Sequence, residues 1–244
     1  EDLVPPFDNP RHVLITGASS GIGAALAVAL AAPDRRLSLG GRDITRLDAV
    51  AVACRAKGAL CETHQADVTD KESMATWLGD ADAEQALDLV IANAGISGGT
   101  GKRGNATDVS DGEIFATNVD GVVNSVEPAL ARMLARNAGQ IAIMSSLASF
   151  RAFGRSPAYC ASKAAVRFYG EGLQRAHRDS DVKIGVICPG FVRSPITDAN
   201  DFYMPMLMDT DHAARRIVRG LAAGKSRIAF PLPLYLGIRM LSLI

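Results

Sequence analysis

Residues 11–23 read R-H-V-L-I-T-G-A-S-S-G-I-G, and this stretch decides the fold. Its first six residues form the mainly apolar run of a buried strand, and an Ala- and Leu-rich helical pattern continues to about residue 32. A glycine turn between a strand and a helix is the setting in which dinucleotides bind, because the backbone approaches the pyrophosphate at the positive end of the helix. Tight turns also use glycine for steric reasons alone, and the spacing here is G-x-x-x-G-x-G rather than G-x-G-x-x-G. The flanking strand and helix favour the nucleotide site.

The pattern of a strand followed by a helix recurs along the rest of the chain. Predicted strands cover residues 11–16, 36–41, 59–66, 87–92, 140–145, 181–188 and 227–230. Predicted helices include residues 69–78, 108–136, a segment from Pro157, and 211–223. This alternation predicts an α/β fold, a single-domain Rossmann-type doubly wound parallel sheet of about seven strands with helices on both faces. We expect residues 1–10 to form an N-terminal arm and residues 11–244 to form the one domain.

Composition narrows the classes of protein. Of the 244 residues, 48% are hydrophobic, enough for a large core, and 26 basic residues balance 26 acidic ones. Nothing in this balance favours nucleic acid or an anionic membrane as a partner. The four cysteines form no C-x-x-C pair, so neither disulfides nor a metal site is expected, and the first residues lack a signal-peptide pattern. These features predict a cytoplasmic protein.

A second informative stretch, residues 146–163, reads S-L-A-S-F-R-A-F-G-R-S-P-A-Y-C-A-S-K. Tyr159 and Lys163 lie four residues apart in a helix that Pro157 opens, so they share one face. A lysine ammonium near a phenol favours the phenolate, and the hydroxyl of Ser146 could hold a substrate oxygen. Lowering a phenol pKa from ~10 to ~7 requires about 4 kcal/mol, which a close lysine and a cationic nicotinamide ring could supply. Such groups are suited to moving a proton to or from a carbonyl or an alcohol.

The end of the second predicted strand bears on the choice of cofactor. NAD sites usually place an acidic residue there to bind the ribose 2′-hydroxyl, but this chain has Gly41 and then Arg42. Arg42 could bind a 2′-phosphate through paired hydrogen bonds, or it could be a solvated surface charge. Asp43 follows at the N-cap position of the next helix. We interpret the pattern as favouring NADP(H) over NAD(H).

Three segments have no clear strand or helix pattern. Residues 96–107 are rich in glycine and include Lys102 and Arg103, and we expect a mobile loop over the cleft. Residues 191–210 carry aromatic and methionine side chains and form either a lid over an apolar substrate or a segment packed on the domain. The apolar tail, residues 231–244, is too short and too interrupted to span a bilayer. We expect it to pack on the domain or on a partner subunit, and a membrane-interface contact is the less favoured interpretation.

Together these motifs resemble the short-chain dehydrogenase/reductase family over residues 11–230. The segment T-G-A-S-S-G-I-G is similar to the family's cofactor turn, and N-A-G after the fourth predicted strand is similar to its central-strand motif. Pro189 and Gly190 begin a segment similar to P-G-x-V-x-T, with serine in place of threonine. Four residues stand in the order and spacing of the family's catalytic tetrad: Asn118, Ser146, Tyr159 and Lys163. The family's serine precedes the tyrosine by about thirteen residues, which selects Ser146 over Ser145.

The resemblance implies a role for each of these residues. Tyr159 acts as the general acid in reduction and the general base in oxidation, and Ser146 polarises the carbonyl. Lys163 lowers the pKa of Tyr159 and binds the nicotinamide ribose, while the backbone carbonyl of Asn118 holds a water that connects Lys163 to solvent. The implied cofactor-binding residues are Gly17, Ser19, Ser20, Gly21, Ile22, Gly23, Arg42, Asp67, Val68, Asn93, Ala94, Gly95, Tyr159, Lys163, Pro189, Gly190, Val192 and Ser194.

The resemblance implies an oxidoreductase that transfers a hydride between NADP(H) and a small carbonyl or alcohol substrate. The apolar side chains of residues 191–210 and of the loop with Phe150 and Phe153 suggest that this substrate is partly apolar. The resemblance also implies a homodimer or homotetramer, formed through the helix from Asp108 and the helix of Tyr159. A non-catalytic NADP(H)-binding sensor or scaffold on the same fold is the alternative. A serine hydrolase is disfavoured, because Gly154-x-Ser156-x-Ala158 lacks the final glycine of a nucleophile elbow and does not follow a strand.

Overall fold

The computed structural model describes residues 9–98, 109–198 and 200–242. These residues form one all-parallel, seven-stranded sheet with helices on both faces, so the predicted Rossmann-type fold is confirmed. The strands are β1 (His12–Thr16), β2 (Arg36–Gly41), β3 (Leu60–Gln65), β4 (Leu89–Ala92), β5 (Gln140–Met144), β6 (Lys183–Pro189) and β7 (Arg227–Phe230). The helices are α1 (Gly21–Leu30), α2 (Ile44–Arg55), α3 (Lys71–Glu84), α4 (Asp111–Phe115), α5 (Gly121–Ala135), α6 (Pro157–Ala176), α7 (Pro195–Asp198), α8 (Thr210–Ala222) and α9 (Leu232–Leu241).

Side chains that alternate along the strands fill a separate core on each face of the sheet. In β1, Val13 and Ile15 belong to one core and Leu14 to the other, and all three are fully buried. Helices α1, α2 and α8 cover the first core, whereas α3, α5 and α6 cover the second. Because both faces are buried, the central strands β1, β4 and β5 are short, mainly apolar runs, which is why the sequence pattern predicted them.

The strand order is β3-β2-β1-β4-β5-β6-β7, so the progress of the chain across the sheet reverses at β1. Ile15 of β1 pairs with Leu39 of β2 on one side and with Ile91 of β4 on the other. A reversal of this kind leaves a crevice at the carboxyl ends of the strands. The glycine turn after β1, the N-A-G segment after β4 and Arg42 after β2 therefore meet at one edge of the sheet.

The long helix predicted over residues 108–136 is interrupted where its sequence reads Asn-Val-Asp-Gly. Helix α4 gives way to a π-helical turn over Ala116–Asp120, and α5 follows. The backbone N–H of Gly121 donates to the carbonyl of Ala116, so the turn holds one residue more than an α-helical turn. Asn118 lies in the middle of this wide turn and is fully buried.

The segment after β6 is more ordered than its sequence suggested. Val192 forms a backbone bridge with Met208, and the N–H of Met208 donates to the carbonyl of Phe191 at 3.0 Å. The hydroxyl of Thr197, in the short helix α7, donates to the carbonyl of Val192 at 2.8 Å. Met208 packs on the first core while Tyr203 is 86% exposed, so the segment combines packing on the domain with an uncovered part.

The apolar tail forms helix α9, which corrects the sequence-based expectation of an interrupted segment. Pro233 lies in the first turn, where its missing N–H breaks no helical hydrogen bond, and Gly237 is exposed. Ile238 is buried against the domain, so the expected packing is confirmed for one side of the helix. Among the described helices, none combines the length and the apolar character that a bilayer crossing needs. Residues 1–8 of the predicted arm, and Lys102 and Arg103 of the predicted mobile loop, lie outside the described residues.

A buried ionic cluster links α9 and β7 to α6. Glu171 of α6 accepts hydrogen bonds from Arg227 of β7 at 2.6 Å and from Arg167 of α6 at 3.1 Å. The guanidinium carbon of Arg167 lies 4.4 Å from the ring centroid of Phe150, and that ring packs edge-on against Tyr235 of α9 at 5.2 Å. The cluster therefore joins α9 to the loop that follows β5.

Candidate active site

The glycine turn between β1 and α1 brings backbone rather than side chains to the floor of a cleft. Gly17 has a φ of +65°, and a Cβ there would lie 2.7 Å from the Cα of Ala94. A Cβ on Gly23 would lie 2.2 Å from the carbonyl oxygen of Gly17. Ser20 is the N-cap of α1 and its side chain makes no capping bond, which leaves the first N–H groups of the helix to an anion. The turn therefore fits a pyrophosphate.

Asn93 connects this turn to the end of β4. Its side-chain Nδ2 donates to the carbonyl of Thr16 at 3.0 Å and to that of Gly17 at 3.1 Å. The hydroxyl of Thr16 accepts from the backbone N–H groups of Asn93 and Ala94, both at 3.1 Å. These bonds fix the spacing of the two strand ends that border the cleft.

Arg42 lies exposed at the outer end of the cleft, on the same wall as Asp67. Hydrogen bonds from Thr69 to the carboxylate of Asp67, at 2.9 and 2.8 Å, and the charge of Arg42 lower the pKa of Asp67 against the effect of burial. The carboxylate of Asp43 is engaged within α2, because it accepts from the N–H of Arg46 at 3.0 Å and pairs with its guanidinium at 2.9 Å. The N-cap predicted at Asp43 is thus confirmed.

Ser146 and Tyr159 meet at the inner end of the cleft. Ser146 is 8% exposed, and its hydroxyl accepts from the N–H of Ala148 at 3.1 Å. Burial raises the pKa of the Tyr159 phenol, and a hydrogen bond with the Ser146 side chain opposes that rise. The pair therefore shares one hydrogen-bonded position at which a substrate oxygen could bind.

Lys163 lies next to the ring of Tyr159 and is 3% exposed. Its Nζ is 5.8 Å from the centroid of that ring and donates to the carbonyl of Met144 at 3.1 Å. Burial lowers the pKa of Lys163 from 10.5 to about 8. A Cβ on Gly95 would lie 3.1 Å from Nζ, so glycine leaves the ammonium room at the cleft. Ser146, rather than Lys163, supplies the contact that lowers the pKa of the phenol here, and the implied effect of Lys163 stays a prediction.

Asn118 makes its contacts through its side chain, whereas the resemblance implied a role for its backbone carbonyl. Its Nδ2 donates to the carbonyl of Ile96 at 2.9 Å, and its Oδ1 accepts from the N–H of Ile96 at 2.8 Å. Nδ2 also donates to the hydroxyl of Ser162 at 3.0 Å, and that hydroxyl donates to the carbonyl of Tyr159 at 2.9 Å. Sequence reasoning missed Ile96 and Ser162; the position of Ser162 between the tyrosine and the lysine was the one signal.

These groups share a cleft of about 420 Å³. Every predicted cofactor-binding residue lines it, as does Ser146, while Asn118 lies behind Gly95. Arg46, in the first turn of α2, also lines the cleft, and the sequence did not single it out. Other lining residues that the sequence did not single out are Ala66, Ile96, Ser97, Val109, Thr117, Met144, Pro195, Ile196 and Thr197.

The two histidines that lie in strands, His12 and His64, have structural positions. The ring of His12 is buried, with Nδ1 2.6 Å from the carbonyl oxygen of Gln85 and Nε2 2.8 Å from the hydroxyl of Ser38. His64 stacks on Trp77 with 5.0 Å between the ring centroids. These contacts give both rings a structural role, so a serine hydrolase stays disfavoured.

Comparison with known proteins identifies the family. The sequence model of the family described as short chain dehydrogenase matches residues 11–202. An uncharacterized oxidoreductase of Myxococcus xanthus (strain DK1622) is 37% identical over 231 residues, which cover 94% of this chain and 91% of that protein. A short-chain dehydrogenase from Sphingobium yanoikuyae in complex with NADPH is 28% identical with a TM-score of 0.81, covering 91% of this chain and 88% of that one. A short chain dehydrogenase/reductase from Burkholderia phymatum in complex with NAD has a TM-score of 0.84 at 24% identity, covering 96% and 93%, and supports the fold alone.

The parallel sheet has a glycine turn at its carboxyl edge, and the cleft there also holds a serine, a tyrosine and a lysine. This combination is typical of an oxidoreductase of the Rossmann type. The family match covers well over half of the chain, and the Myxococcus relative extends it to nearly the full length. The chain belongs to the short-chain dehydrogenase family.

Proposed function

We propose that the protein transfers a hydride between NADP(H) and a small, partly apolar carbonyl or alcohol substrate, with Tyr159 as general acid and base. The proposal depends on one observation: Ser146, Tyr159 and Lys163 converge in the cleft that also contains the glycine turn. When bound, the dinucleotide supplies the hydride chemistry. The chain supplies orientation and a proton.

The proton moves at the hydroxyl of Tyr159. In reduction this hydroxyl donates to the substrate oxygen, and in oxidation it accepts the alcohol proton. The hydroxyl of Ser146 binds the same substrate oxygen and polarises it. Lys163, whose pKa is about 8, is mostly protonated at pH 7, and its charge favours the phenolate. Asn118 keeps Ile96 and Ser162 in place around these groups.

The substitution Tyr159→Phe tests the proton transfer. We expect turnover to fall by about 10²–10⁴-fold, because the proton donor is removed, and NADPH binding to persist. Oxidation of NADPH, followed by absorbance with a panel of alcohols and ketones, gives the rate, and fluorescence titration gives the binding. Tyr169→Phe is the matched control, since Tyr169 is a half-buried tyrosine on the same helix.

Two outcomes would count against the proposal. Full activity in the Tyr159→Phe variant would remove the tyrosine from the mechanism. NADPH binding by the native protein without turnover across the panel would favour the non-catalytic sensor instead.

The charges at the outer end of the cleft support the proposed preference for NADP(H). Arg42 is exposed there, while the neighbouring carboxylate of Asp43 is engaged with Arg46. The NADPH bound to the Sphingobium relative supports the same preference. We expect Arg42→Ala to weaken NADPH binding by about tenfold or more and to leave NADH binding unchanged, since one charge-assisted bond contributes about 1.5–3 kcal/mol. Arg178→Ala is the control, since the side chain of Arg178 is 79% exposed. An unchanged ratio of NADPH to NADH affinity in Arg42→Ala would contradict the assignment of Arg42 to the 2′-phosphate.

Exposed apolar side chains support a proposal on quaternary structure, and the cysteines support a proposal on location. We propose a homodimer or homotetramer formed through the α4–α5 segment and α6, where Phe115 and Phe168 are 41% and 65% exposed. The four cysteines are buried free thiols, which supports a reducing cytoplasm. Light scattering at micromolar concentration measures the mass, and the mass of a single chain would contradict the oligomer.

A further inference from the structure

An apolar stripe lies exposed on helix α9. Leu232, Leu236 and Met240 follow one another at four-residue spacing and are 58%, 51% and 70% exposed. The other side of the helix packs on the domain, since Ile238 is buried and a Cβ on Gly190 of the cleft would lie 3.0 Å from Leu234. The helix is therefore docked on one side and uncovered on the other.

The stripe belongs to a larger exposed apolar surface. Of the twelve large hydrophobic side chains that are exposed among the described residues, seven belong to α9 or to the loops after β5 and β6. These seven form the apolar rim: Phe153, Tyr203, Met206, Leu232, Leu236, Met240 and Leu241. Single exposed apolar residues need no explanation, but a concentration of them marks an interaction surface.

Side-chain contacts join the three segments of the apolar rim. Phe150, in the loop after β5, packs against Tyr235 of α9 at 5.2 Å, and the guanidinium carbon of Arg239 lies 5.8 Å from the same ring. Arg155 of that loop lies 5.9 Å from the ring centroid of Phe202, in the segment after β6. The apolar rim is therefore a connected face of the molecule.

Two of the three segments of the apolar rim carry a positive charge. Residues 147–156 and 231–242 include Arg151, Arg155 and Arg239 and no acidic residue, whereas the segment after β6 includes Arg193 against Asp198, Asp201 and Asp209. Arg155 pairs with Asp201 at 3.3 Å. Within the described part of the chain, neither Arg151 nor Arg239 forms an ion pair with a carboxylate, and both are exposed.

We propose that the apolar rim binds an anionic lipid surface. The leucine, methionine and aromatic side chains enter the boundary between headgroups and acyl chains, and Arg151 and Arg239 meet the anionic headgroups. A second copy of the chain is the other candidate occupant, and the oligomeric state measured in the test below distinguishes the two. Through the contact of Leu234 with Gly190, helix α9 borders the cleft, so an apolar substrate could enter the cleft from the bilayer. That route rests on the proposed function, whereas lipid binding itself does not.

Vesicle flotation with the full chain tests the proposal. Vesicles of phosphatidylcholine alone are compared with an equal mixture of phosphatidylcholine and phosphatidylglycerol, at low and high salt. The double variant Leu236→Glu/Met240→Glu removes apolar contact, and Arg151→Gln/Arg239→Gln removes the charge without altering the stripe. Leu60→Glu is the matched control, since Leu60 is a 61% exposed leucine on strand β3, at the far edge of the sheet.

We expect the native protein to float with the anionic vesicles, less so at high salt, and only weakly with the neutral ones. Binding should fall by about tenfold or more in the glutamate variant, persist in Leu60→Glu, and lose its dependence on anionic lipid in the glutamine variant. Circular dichroism confirms that each variant is folded. A native protein that does not float, or a glutamate variant that floats equally well, would overturn the proposal. If the native protein fails to float and light scattering shows that the glutamate variant dissociates an oligomer, the face is a subunit contact and the proposal is wrong.

Discussion

Replacing Asn118 with alanine should cost more stability than any one of its contacts suggests. Its amide makes three hydrogen bonds, two with the backbone of Ile96 and one with the hydroxyl of Ser162, at 2.8–3.0 Å. Asn118 is fully buried, so its partners would lose bonds in a place that water reaches poorly. At about 1 kcal/mol for each bond, the expected loss in the free energy of unfolding is about 3 kcal/mol.

Asn124→Ala is the matched control for that substitution. Asn124 is also a buried asparagine, 8% exposed, and its Nδ2 donates to the carbonyl of Val68 at 2.9 Å. With this one bond lost, we expect a cost of about 1 kcal/mol. For a chain of this size each kcal/mol lowers the midpoint of thermal unfolding by about 2–4 °C, so about 6–12 °C is expected for Asn118→Ala against about 2–4 °C for Asn124→Ala.

Urea and thermal unfolding followed by circular dichroism measure both variants. The reasoning predicts that Asn118→Ala is clearly the less stable, and that it loses turnover even at temperatures where it is fully folded. Equal midpoints for the two variants would refute the view that the amide holds the segment after β4. Native turnover in folded Asn118→Ala would refute its link to the site.

Two further predictions concern buried charges. Lowering of the Lys163 pKa from 10.5 to about 8 corresponds to about 3 kcal/mol by which the folded state disfavours the ammonium. That cost is present in full below pH 8 and vanishes as the pH rises to 10.5. The free energy of unfolding of Lys163→Met should therefore exceed that of the native protein most at pH 7. A difference between the two proteins that does not shrink with rising pH would contradict the prediction. The second prediction concerns Glu171. Burial raises the pKa of its carboxyl group, but hydrogen bonds from Arg227 and Arg167 outweigh that effect, so the pKa lies below the usual 4.5. The ion pairs therefore stabilise the fold at neutral pH, and this stabilisation is lost as the pH falls through the lowered pKa. Glu171→Gln should therefore cost about 3 kcal/mol in urea unfolding at pH 7 and less in acid, and equal losses at both pH values would argue against the ion pairs.

The sheet and the phosphate turn could be predicted because their signals are local. Strands β2 and β7 have the predicted bounds, since buried parallel strands are short apolar runs between breakers. The N-cap at Asp43 follows from one residue type with a strong backbone preference. Five motifs in a fixed order then pointed to one cleft.

The features that the sequence did not reveal depend on contacts between distant residues. Pro233 and Gly237 suggested a broken tail, but proline is harmless in a first helical turn, and helix α9 gains its place from packing. The stacking of Arg167 on Phe150 joins residues on different elements, and no periodicity reports such a pair. The amide of Asn118 reaches Ile96 from the π-helical turn, and these two residues are distant in the sequence.

The π-helical turn at Ala116–Asp120 makes this part of the chain sensitive to the loss of a single residue. Deleting one residue would let α4 and α5 merge into one regular helix with its backbone hydrogen bonds kept. Because the wide turn takes up its one extra residue within a single turn, α4 and α5 would keep nearly the same orientation to each other, and the change would fall on the residues around Asn118. The shorter chain would form a regular helix in which the side-chain amide of Asn118 no longer reaches Ile96. Side chains along this helix can therefore be exchanged, but a change of length here would remove the contact between Asn118 and Ile96.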